Sequence, residues 1–291
     1  MSSGRASSLV EEGRTALQAA GVPEPLRDAE VLLAFVLGVE TSGVHTHPEW
    51  HVEPPAAARY RDLVARRAAR EPLQYLTGIQ EFWSLDFKVT PAVLIPRPET
   101  EGVIEAFLRF QETPDPVVLD IGTGSGCLAV AVAKEIPGAR VLAGDVSEAA
   151  LAVARENAAA HGVAARIDFR RGDLFEPFRG PGSDLAGRVD FILTNPPYLG
   201  DDEFSGLMPE VRDHEPRGAL SAGPDPLAVH RRLARECVEF LKPGGHLIAE
   251  MGLGQEAALR ALYGGQPGLE VTAVRPDLAG ILRVLVARAR G

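Results

Sequence analysis

The 291-residue sequence is poor in cysteine: Cys127 and Cys237 are its only two, with no CxxC pair. That excludes a disulfide framework and a zinc ribbon. No apolar run approaches the roughly 18 residues a membrane helix needs, and the start, MSSGRASSLVEEG, lacks the apolar stretch of a secretory signal. A cytoplasmic, reduced setting without membrane contact is expected. Positive charge is also scarce, with 30 Lys and Arg against 40 Asp and Glu, for a net charge of −10. A protein that grips nucleic-acid phosphates carries a basic face, so no direct nucleic-acid partner is expected. Arg59, Arg61, Arg66, Arg67 and Arg70 do cluster, at a spacing that suits the solvated side of a helix. His45, His47 and His51 lie close together but lack a fourth partner for a metal, so surface or capping roles are expected. No metal is expected.

What is present suits an ordinary soluble fold, with 45% apolar and 24% charged residues. The length exceeds what one core usually serves, so one large or two unequal domains are expected. Residues 1–78 read as a small helical bundle. Ser8 and Glu11 have capping-box spacing, Gly21 and Gly38 suit helix stops, and Pro55 suits a first turn. Residues 79–97 read as a hairpin and linker. Residues 98–291 read as strand, glycine loop, helix, strand, repeated, which predicts an α/β doubly wound, Rossmann-like sheet.

Two constellations in that second part carry chemistry. In VLDIGTGSG, a strand ends at Asp120, and Gly122, Thr123, Gly124, Ser125 and Gly126 turn the chain into a helix. Glycines let backbone approach a ligand, and the helix start offers free N–H groups. The spacing is GxGxG, which does not match the dinucleotide fingerprint GxGxxG. Asp145 ends the next strand, where a carboxylate can accept from both ribose hydroxyls or can cap the following helix. Asp173 and Leu174 end the third strand, where an adenine can lie. Cys127, just inside a helix start, reads as a small packing residue.

The other constellation is Asn195-Pro196-Pro197-Tyr198, directly after the fourth strand. Its prolines fix the backbone, and Pro196 offers a carbonyl without an N–H. The Asn195 side-chain oxygen and the Pro196 carbonyl can both accept from one planar NH₂ group, with Tyr198 packing on a flat substrate. A proline-stiffened loop is the plainer alternative.

Together the glycine loop, Asp145 and NPPY resemble class I S-adenosylmethionine methyltransferases that act on amino or amide nitrogens. More narrowly, the chain resembles the release-factor glutamine methyltransferase (PrmC/HemK) family. The resemblance runs through DAEVLLAFVLG (28–38), EPLQYLTG (71–78), VLIPRPETE (93–101), VLDIGTGSGCLAVAVA (118–133), NPPY (195–198), HEPRGALSAGPDPL (214–227) and the segment Glu250 to Gln255. It implies an N-terminal substrate-recognition domain, S-adenosyl-L-methionine as cofactor, and class I peptide chain release factors as partners, methylated on the glutamine of their GGQ motif by a monomer. It places cofactor contacts on Gly122 to Gly126, Asp145 and Leu174, makes Asn195 serve both cofactor and substrate, and puts Arg97 and Thr100 beside the cofactor. Leu174 stands where the family often has a large aromatic. A base-amine methyltransferase on DNA or RNA is the alternative that NPPY leaves open. Gly264-Gly265-Gln266 repeats the target motif within this chain and reads as a chance match.

Overall fold

The computed structural model describes residues 4–180 and 183–291. They fall into two units: one holds the chain through Ile79 together with Met208–His214, the other Gln80–Leu207 and Glu215–Gly291.

In the first unit, β1 (Gly4–Arg5) pairs antiparallel with β2 (His51–Val52). Around them lie α1 (Ala6–Ala19), α2 (Pro25–Leu37), α3 (Thr41–Thr46), α4 (Pro54–Ala68) and α5 (Leu73–Thr77). Leu9, Leu17, Leu32, Leu33 and Tyr60 fill its core. Gly38 closes α2 in the left-handed conformation, which costs glycine little. Two expectations need correction. Helix α1 begins at Ala6 with Arg5 as its N-cap, so Ser8 lies inside the helix and forms no capping box. The arginine cluster is not wholly solvated. Tyr60, Leu63, Val64 and Arg67 share the buried stripe of α4, because three- and four-residue steps return to one face. Arg67 is 5% exposed. It donates from Nε to Asp28 at 2.7 Å and pairs with Glu210 at 2.9 Å. Arg70 meets the same Glu210 at 2.6 Å. A buried cation requires such partners. The three histidines each face a glutamate: His45 with Glu30, His47 with Glu49, His51 with Glu53.

A hairpin follows, of β3 (Ile79–Phe82), which belongs to the second unit from Gln80 on, and β4 (Leu85–Lys88). Its two turn residues, Trp83 and Ser84, have φ of 55° and 56°, the mirror-image turn that matches strand twist. Then follow α6 (Glu101–Phe110), β5 (Val117–Ile121), α7 (Cys127–Glu135), β6 (Arg140–Asp145), α8 (Glu148–Ala160), β7 (Ile167–Arg171) and β8 (Val189–Thr194). After β9 (Leu199–Gly200), α9 (Pro209–His214) belongs to the first unit. The chain continues through α10 (Arg217–Leu220), β10 (Ser221–Gly223), α11 (Ala228–Cys237), β11 (Leu241–Glu250), α12 (Glu256–Gly264), β12 (Leu269–Pro276) and β13 (Leu282–Ala289).

Seven strands form one sheet in the order β12-β13-β11-β8-β5-β6-β7. The strands from β11 to β7 are parallel, and β13 runs antiparallel between β11 and β12. Strand residues alternate between two cores. Val118, Val141, Leu193 and Ile248 pack with α6 and α7 on one face, and Leu119, Leu142, Ile192 and Leu247 pack with α11 and α12 on the other. Burial on both faces explains why VVLDI and VDFILT read as continuous apolar runs. From β5 the chain winds outward through β6 to β7, then returns to place β8 on the other side of β5. Strand order reverses there, and such a crevice at the carboxyl ends of parallel strands is where this architecture binds ligands.

Candidate active site

Sheet register brings the two sequence constellations together. Ile121 at the end of β5 is paired with Gly144 of β6 and Thr194 of β8, and the Thr194 hydroxyl donates to the Ile121 carbonyl at 2.8 Å. Gly122 and Asn195, each one residue further on, therefore leave the sheet side by side. On the next strand Ala249 is paired with Thr194, which sets Glu250 beside Asn195.

The glycine loop is held from within. Gly122 and Thr123 both donate backbone N–H groups to the Gly144 carbonyl at 2.9 Å. The Thr123 hydroxyl donates to Asp120 at 2.6 Å, and the Ser125 carbonyl accepts from the Asn157 amide at 2.8 Å. Thr123 and Ser125 are buried, so they shape the loop from behind. Gly122 and Gly124 have φ of 77° and 56°, and a Cβ at either would meet no atom within 4 Å. The open space in front of them is a cavity of about 360 Å³, within the roughly 300–1,000 Å³ range of small-molecule sites. Gly126, the left-handed N-cap of α7, is different: a Cβ there would lie 3.1 Å from Ala154.

Gly122, Gly124, Asp145, Asp173, Leu174, Asn195 and Pro197 line the cavity. Asp145 accepts from Gly124 N–H through one oxygen and from Ser147 N–H through the other, both at 2.9 Å, while Ser147 itself caps α8. Burial raises the Asp145 pKa, and these backbone bonds oppose the shift. Asp173 pairs with Arg232 of α11 at 2.9 Å. Leu174 has φ of 48°, a left-handed conformation that strains a branched residue. Cys127 is buried, its thiol pushed up to about 12, as suits a packing residue.

Asn195 is fixed by a chain of bonds. Its side-chain NH₂ donates to Thr100 Oγ1 at 2.9 Å, and that hydroxyl donates to Glu250 Oε2 at 2.5 Å. The Tyr198 hydroxyl donates to Glu250 Oε1 at 3.2 Å. Glu250 is 2% exposed, and burial pushes its carboxyl up to about 7. Gln255 clamps the motif's end, donating to the Tyr198 carbonyl at 2.8 Å and accepting from Gly252 N–H at 3.0 Å. Tyr198 thus turns its hydroxyl inward, and Pro196 is buried beside it.

Some lining residues escaped sequence reasoning. Ala92 to Leu94 close one side, and Pro216, Gly218, Ala219, Ser221 and Ala222 another. Buried Glu215 joins the two segments, accepting from Ile95 N–H at 3.1 Å and pairing with Arg97. Arg97 and Thr100 do not line the cavity; they brace the residues that do. The signal for Glu250 was available, since an acid closing the apolar run HLIAE needs buried partners.

Known proteins match both parts of the chain. Residues 8–78 fit the PrmC N-terminal domain, and residues 105–208 fit the methyltransferase small domain. The release factor glutamine methyltransferase of Cereibacter sphaeroides is 44% identical over 98% of this chain and 98% of its own. Its namesake from Streptomyces coelicolor is 39% identical over 96% of each. A solved methyltransferase from Pyrococcus furiosus, 17% identical, superposes with a TM-score of 0.53 over 80% of this chain and 100% of its own, a likeness of fold. With a glycine-loop cavity, an NPPY motif at the strand-order reversal, and relatives matched over more than nine-tenths of their length, the chain belongs to the release factor glutamine methyltransferase family.

Proposed function

We propose that the chain binds S-adenosyl-L-methionine in this cavity and methylates the side-chain amide nitrogen of the glutamine in the GGQ motif of a class I peptide chain release factor. The carrying observation is the polarity of Asn195. Its NH₂ donates one bond to Thr100, so Oδ1 remains available to accept, and Asn195 lines the cavity. Pro196 adds a carbonyl and no competing donor. An amide NH₂ is the group such a pair of acceptors receives.

The cofactor supplies an electrophilic methyl on a sulfonium. Gly122 and Gly124 give it room, Asp145 provides carboxylate lone pairs for ribose hydroxyls, and Asp173 and Leu174 border the adenine end. Asn195 and Pro196 hold the amide nitrogen, and orientation of reactants is worth about 7–11 kcal/mol of barrier. The same acceptors stabilise positive charge as it grows on nitrogen. The N-terminal helices serve substrate recognition, and the enzyme works as a cytoplasmic monomer.

The test is transfer of labelled methyl to purified release factor, intact or with its GGQ glutamine changed to alanine. Label on the intact factor alone is expected. Label on nucleic acid instead would restore the base-amine reading.

A further inference from the structure

We propose that Thr100 and Glu250 are positioning residues that set the polarity of the Asn195 amide, turning its NH₂ inward and its Oδ1 to the substrate. The proposal deepens the amide-nitrogen reading above and rests on it. An asparagine side chain presents either end with almost equal bulk, so shape alone does not choose. Hydrogen-bond capacity does. A threonine hydroxyl has one proton, and the 2.5 Å contact to the ionised Glu250 carboxylate uses it. Its oxygen can then only accept at 2.9 Å from Asn195, so the asparagine must offer its NH₂ there. The reversed amide would set two acceptors against each other inside a buried site.

The pieces come from three separate stretches of chain. Thr100 precedes α6, Asn195 follows β8 and Glu250 ends β11. Thr100 and Glu250 are both 2% exposed, and neither lines the cavity. An effect of Thr100 on turnover therefore passes through Asn195, and one of Glu250 through Asn195 or Tyr198. With Glu250 ionised, one carboxylate oxygen accepts from Tyr198 and the other from Thr100, so the polarity is set in the state where Glu250 carries its charge.

The test uses full-length protein with ¹⁵N-labelled asparagine, the Asn195 NH₂ pair being identified by its loss in N195A. Wild type and T100S should show one Asn195 amide proton protected from solvent exchange, and T100V should lose that protection. Turnover with release factor should fall about 10–100-fold in T100V, since a buried donor is left without a partner. Cofactor affinity should hold within about threefold, T100S should recover, and T100V should cost nothing further in an N195A background. Unchanged protection in T100V overturns the proposal, and so does an equal turnover loss in both backgrounds. A wild-type enzyme that leaves release factor unmethylated would remove the functional reading, while the exchange measurement would still decide the role of Thr100.

Discussion

Asp145 accepts a hydrogen bond from the backbone N–H of Gly124 at 2.9 Å, tying the end of β6 to the loop that follows β5. One carboxylate thus shapes the glycine loop and faces the cavity that the loop borders. Asp145→Ala should weaken S-adenosylmethionine binding about 10–100-fold, the effect of losing one charge-assisted hydrogen bond or slightly more. Calorimetric titration of the cofactor reads this directly. Wild-type affinity in the variant would remove Asp145 from the cofactor site.

Asn195→Ala should act on the chemical step. Removal of a preorganised group that stabilises developing charge costs roughly 10²–10³-fold in kcat. The glycine loop is braced by Asp120, Gly144 and Asn157 without help from Asn195. Cofactor affinity should therefore fall far less than turnover. Steady-state kinetics beside cofactor titration separates the two effects, and unchanged turnover would contradict the proposed role.

Two buried carboxyls predict how stability of the cofactor-free protein depends on pH. Burial pushes Asp120 and Glu250 each up to about 7, and Asp120 Oδ1 has no hydrogen-bond partner. Both groups bind protons more tightly folded than unfolded, where carboxyls titrate near about 4. Their contribution is fully present below that value and is lost as pH rises toward 7. The thermal midpoint should fall between about pH 5 and pH 8, less steeply in Asp120→Asn. Identical slopes in wild type and variant would show that Asp120 is charged in the folded state at both ends of the range.

Local pattern carried much of this architecture. Apolar runs bounded by glycine loops give strands buried on both faces, and NPPY directly after VDFILT fixes which end of the sheet it occupies. What local pattern could not carry is pairing across distance. Arg67 belongs by charge with its neighbours Arg66 and Arg70, yet its place on the stripe of Tyr60 and Leu63 takes it inside, where Asp28 and Glu210 meet it. Likewise, only the register of β11 against β8 sets Glu250 beside Asn195. Thr100 falls within a segment shared with the family, but its bond to a residue 95 positions away is a property of the fold. The walls at Ala92 to Leu94 and Pro216 to Ala222 are irregular chain, which hydrophobic periodicity does not detect.

The central claim is that one nitrogen of one side chain receives the methyl group. The most direct test is fragment mass spectrometry of a class I release factor after incubation with this enzyme and S-adenosylmethionine. A single methyl on the side-chain amide of the GGQ glutamine is the predicted result. A methyl on any other residue, or an unmodified factor beside an enzyme that binds the cofactor, would contradict it.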